Sequence, residues 1–135
     1  VEVMIPEHLA RIVEGVQNAE IFERYLSLNE YIKAIVLASR EANIILHSVY
    51  RDINITDANA LAFLATISEH SDRAAKVLDL GEFRETIIEA ELYYIMLSRL
   101  KFELVLAAIF DREIALGLMI RDFLSLKKEI SELIA

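Results

Sequence analysis

Three glycines, at positions 15, 81 and 117, and one proline, Pro6, are the only such residues in 135. A chain with so few residues that readily take sharp turns favours long uninterrupted elements. Apolar residues recur at roughly helical spacing between the breaks, so the sequence predicts an all-α protein. Pro6 suits the first turn of a helix. Leu9, Ile12, Val13, Val16, Ile21 and Tyr25 continue from it as an apolar stripe. "LSLNE" at 26–30 is the first break, with Ser27 or Asn29 as cap for a second helix reaching about Tyr50. "RDINITDAN" follows, where Thr56 or Asp57 caps a third helix, and that helix ends at "LDLGE" with Gly81 as the left-handed residue. A fourth helix is expected over about 82–109, and a fifth runs from Asp111 nearly to Ala135.

The two breaks resemble each other. Offset by 52 positions, Leu26, Leu28, Glu30, Ile35 and Ala38 fall on Leu78, Leu80, Glu82, Ile87 and Ala90. The expectation is a single domain over 1–135: a five-helix antiparallel bundle of two similar helical hairpins plus a C-terminal helix. Two hairpins are too few for a solenoid. In the last helix Leu116, Ile120, Phe123, Lys127, Ile130 and Ile134 follow a seam-like spacing, which reads as a docking face or as a surface for a second subunit.

Composition bounds function. The hydrophobic fraction is 56%, above the usual ~45–50%, so apolar surface is expected to be hidden against another chain, as in a homodimer. The net charge of −8 disfavours general nucleic-acid binding. There is no cysteine, hence no disulfide or thiolate site. The apolar stretch 104–120 is broken by Asp111, Arg112 and Glu113, and Glu2 and Pro6–Glu7–His8 do not read as a leader. A cytoplasmic protein without membrane contact is expected.

Motifs narrow the chemistry further. The glycines stand alone, so there is no phosphate loop, and no Gly-x-Ser-x-Gly is present. His8, His47 and His70 are each preceded three residues back by isoleucine, which fails the Glu-x-x-His scheme of di-metal bundles. His70, in "ISEHSDR", reads as a surface residue. Glu82, Glu85 and Glu89 would share one face of a fourth helix, a weak candidate for a hard cation or a solvated acidic face. On a second helix Lys33, Arg40, His47 and Arg51 would fall within about 40° of one another. That basic stripe is either solvated or a binding groove for an acidic or phosphorylated partner.

Two features carry a family resemblance: the corner "VLDLGEFRETIIEA" at 77–90 and the spacing Arg40-x6-His47. In both, the chain resembles the HEPN superfamily of small helical bundles, many of them dimeric and some of them metal-independent ribonucleases. The resemblance implies Arg40 stabilising phosphate charge and His47 assisting proton transfer from a ribose 2′-hydroxyl, chemistry suited to both side chains. Three readings follow. The preferred one is a non-enzymatic helical binding or assembly module without cofactor, recognising its partner through Lys33, Arg40, His47 and Arg51. The others are a HEPN-type endoribonuclease and a divalent-cation bundle.

Overall fold

The computed structural model describes residues 5–135 and arranges them about a five-stranded antiparallel sheet; Glu2 lies outside the described residues. The elements in chain order are α1 (Glu7–Ala19), α2 (Ile21–Leu28), β1 (Ile32–Ser39), β2 (Ile44–Tyr50), α3 (Asp57–Val77), β3 (Glu85–Glu89), β4 (Tyr93–Arg99), β5 (Leu104–Asp111) and α4 (Leu116–Ile134). The sheet order is β2-β1-β5-β4-β3. The expected all-α bundle is therefore incorrect, and with it the HEPN resemblance. The expected second helix is the β1–β2 hairpin, and the expected fourth is β3, β4 and β5.

The physical reason lies in the two central strands. β1 ("IKAIVLAS") and β5 ("LVLAAIFD") are buried at almost every position because helices cover both faces of the sheet. A strand covered on both faces is apolar throughout rather than alternating, and such a run is not separable from a buried helix by periodicity. The tight connections also avoid glycine. Asn43 between β1 and β2, Asp52 after β2, and Phe102 with Glu103 between β4 and β5 take positive φ themselves. Scarcity of glycine did not mean scarcity of turns.

Helices α1, α2 and α4 cover one face. Leu9, Val16, Phe22, Met119, Phe123, Leu126 and Ile130 meet Ile35, Leu37, Met96, Leu106 and Phe110 there. Each fully buried side chain of this size contributes about 2–3 kcal/mol of transfer free energy. Helix α3 covers the other face, where Leu64 and Ala75 meet Val36, Ala38, Leu97, Val105 and Ala107. Thr56 does cap α3, its Oγ1 accepting from the Asn59 N–H at 3.2 Å. The expected first helix is broken at Glu20, whose left-handed backbone separates α1 from α2.

Asn29 ends α2 rather than starting a helix. Its Oδ1 accepts from the Tyr31 N–H at 2.9 Å, and its Nδ2 donates to Asp122 at 2.7 Å. The 52-residue echo thus marks two helix-to-strand corners, α2 into β1 and α3 into β3. Among the described residues no helix is long and apolar enough to cross a membrane.

Candidate functional site: an uncovered sheet edge

The residues singled out in the sequence do not gather into one face. Lys33 pairs with Asp52 at 3.8 Å. Arg40, in the β1–β2 turn, reaches Asp72 of α3 at 3.3 Å. His47 turns the opposite way. Its ring stacks on Phe22 of α2 at 5.0 Å, and Nε2 lies 3.3 Å from Glu23. Arg40 and His47 therefore engage opposite faces of the sheet. Arg51 donates to the carbonyls of Leu26, Asn29 and Ile32 at 2.9, 2.8 and 2.6 Å, tying the end of α2 to the start of β1. The cation candidates are also divided. Glu85 accepts from Lys127 Nζ at 2.7 Å, Glu89 from Arg112 Nη2 at 2.6 Å, and Glu82 precedes the strand. His70 is exposed on α3.

What the fold leaves open is β3. Arg99 N–H donates to the Arg84 carbonyl and Ala90 N–H to that of Tyr93. With the register Glu85↔Ser98 through Glu89↔Tyr94, Thr86 and Ile88 then bond inward to β4. The N–H and C=O groups of Glu85, Ile87 and Glu89 face outward. A row of such unpaired groups is a template for another strand.

The opposite edge, β2, is protected. Its register against β1 slips between Leu37 and Ala38, leaving Leu46 as an extra residue that twists the edge. Ser48 and Tyr50 hydroxyls also bind Asp57 at the head of α3, at 3.0 and 2.6 Å. Burial, and then that hydrogen bond to Asp57, pushes the Tyr50 phenol up to about 12. β3 has no such slip.

Side chains around β3 match its exposed backbone. Ile87 is 42% exposed between two glutamates already neutralised by Lys127 and Arg112. The Arg112 guanidinium lies 4.7 Å above the Tyr94 ring, which fixes it beside the edge. On the α3 side, Thr86 bonds Ser71 at 2.7 Å. Sequence reading missed this edge because Glu85 and Glu89 share a face whether the segment is strand or helix. The β-branched run Thr86-Ile87-Ile88 was the available signal for a strand.

A central antiparallel sheet with α3 on one face and three helices on the other is the fold of Roadblock/LC7 and MglB proteins. Myxococcus xanthus MglB superposes with a TM-score of 0.77 at 19% identity, covering 97% of this chain and 92% of that one. A structure described as MglB with tetrameric arrangement gives 0.72 at 17%, covering 98% and 96%. A Roadblock/LC7 domain from Streptomyces avermitilis gives 0.70 at 16%, covering 82% and 92%. No protein-family model matches the sequence, and no curated protein matches it significantly.

Proposed function

We propose that this chain is a non-enzymatic, cytoplasmic assembly module that pairs with a second copy through β3, extending one sheet across both. The observation that carries this reading is the regular, outward-facing edge of Glu85, Ile87 and Glu89. Antiparallel pairing about Ile87 sets Glu85 of each copy opposite Glu89 of the other. Like charges directly opposed destabilise a sheet, but Lys127 and Arg112 already offset both carboxylates within each protomer. The high apolar fraction supports an associating chain. So does the description of one similar structure as a tetrameric arrangement, said of that protein.

Sedimentation of the wild type and Ile87→Pro tests it. Proline removes an outward N–H and leaves the β3–β4 ladder its donors. The wild type should sediment as a dimer or larger, and the variant as a folded monomer. Ile87→Lys, which places charge on the edge, should do the same. A monomeric wild type, or variants that associate undiminished, would overturn the proposal.

A further inference from the structure

A second feature lies where the C-terminal end of α4, the start of β3 and the β4–β5 turn converge. They enclose an open cleft of about 680 Å³. Phe83 and Ile134, both buried, and half-buried Leu100 give it an apolar wall. Its charge differs from that of the rest of the molecule. Five of the fourteen Lys and Arg residues line it against three of the twenty-two acids, in a chain of net charge −8.

Two of those cations have intramolecular partners. Lys127 is held by Glu85, and Arg99 by Asp72 and Glu103. Arg84, Lys101 and Lys128 are exposed and have no carboxylate partner among the described residues. Glu82 and Glu132 share the rim, so the excess of positive charge is modest and local. At physiological salt, charge more than about 8 Å away is largely screened, so the cleft rather than the whole molecule sets the field a docked ligand meets.

The open mouth decides the class of occupant. A small molecule needs most of its surface enclosed, whereas an extended segment can lay one side chain on an apolar wall and leave its backbone in water. We infer that this cleft docks an acidic peptide segment of a partner protein, an apolar side chain against Phe83 and Leu100 and flanking carboxylates on Arg84, Lys101 and Lys128. The inference rests on the reading of the chain as a binding module and names the chemistry of its partner. That chemistry is the one expected of the Lys33–Arg51 stripe, now at a different place on the molecule.

The test is fluorescence anisotropy with a labelled peptide of alternating glutamate and leucine, and with its lysine-for-glutamate counterpart. The protein is the full chain, as wild type and as the triple variant Arg84→Glu, Lys101→Glu, Lys128→Glu. The wild type should bind the acidic peptide and not the basic one, and the triple variant should bind about tenfold more weakly, since exposed charge contacts are individually small but sum. Ser131→Glu, a single carboxylate on the cleft lining, should weaken binding in the same direction and guards against misfolding of the triple variant.

No binding by the wild type, equal binding by the variants, or equal binding of the basic peptide would overturn the inference. Displacement of the peptide by equimolar inorganic phosphate, or capture by phosphatidylserine vesicles in place of the peptide, would assign the cleft to another ligand and overturn it as well. Sedimentation of Ser131→Glu, on α4 and off the paired edge, should match the wild type. An Ile87→Pro variant that associates undiminished and binds the acidic peptide would sink the edge-pairing proposal and leave the cleft intact.

Discussion

At the scale of single residues, Arg51 shows how a functional expectation becomes a structural role. Its guanidinium gathers three carbonyls where α2 gives way to β1. Helix ends leave carbonyls unpaired, and a planar fork of donors meets several at once. Arg51→Met should lower stability by about 3 kcal/mol in chemical denaturation, and Arg51→Lys should recover only part of it. Tyr50 gives a pH signature. Its phenol titrates at about 12 in the folded chain against an ordinary value of 10. Below pH 10 both states hold the proton and the contribution is complete. Between 10 and about 12 the unfolded chain releases its proton first, so stability falls as pH rises. Tyr50→Phe should flatten that decline and remove a late-ionising phenol from a phenolate absorbance titration.

At the scale of elements, α3 is fixed at its far end by Asp72, which is 17% exposed and binds Arg40 at 3.3 Å and Arg99 at 2.7 Å. One carboxylate thereby joins α3 to the β1–β2 turn and to the end of β4. Asp72→Ala would leave two half-buried guanidinium groups short of a partner, so a loss of about 2–3 kcal/mol is expected. Amide exchange should quicken in α3 more than in α4. The α elements were the legible part of this chain. α1, α3 and α4 each expose one flank, so their apolar stripes keep helical spacing, and the cap at Thr56 is local chemistry. β1 and β5 were not legible, because burial on both faces removes the alternation that distinguishes a strand. The edge at β3 was hidden differently: Glu85 and Glu89 are four apart, and a helix would put them on one side as a strand does. Arg40 and His47 appeared paired only because a helix was assumed. In a hairpin they address opposite faces.

At the scale of the whole molecule, the two edges of one sheet are treated unequally, and that asymmetry defines the proposed assembly. β2 carries an extra residue and side-chain ties to α3, while β3 keeps a regular ladder and an exposed Ile87. Joining two copies at β3 brings the partner strand to the Arg84–Glu85 rim of the cleft, while Lys101 in the β4–β5 turn and Lys128 on α4 stand off the paired edge, so substitutions at those two should alter partner docking and not self-association. Amide hydrogen exchange of the wild-type chain, resolved by residue at high and low protein concentration, tests the pairing most directly. Pairing predicts that the outward amides of Glu85, Ile87 and Glu89 are as protected as those of Thr86 and Ile88 at high concentration, and lose that protection on dilution. Fast exchange at the three outward amides at every concentration, with Thr86 and Ile88 still protected, would contradict the account.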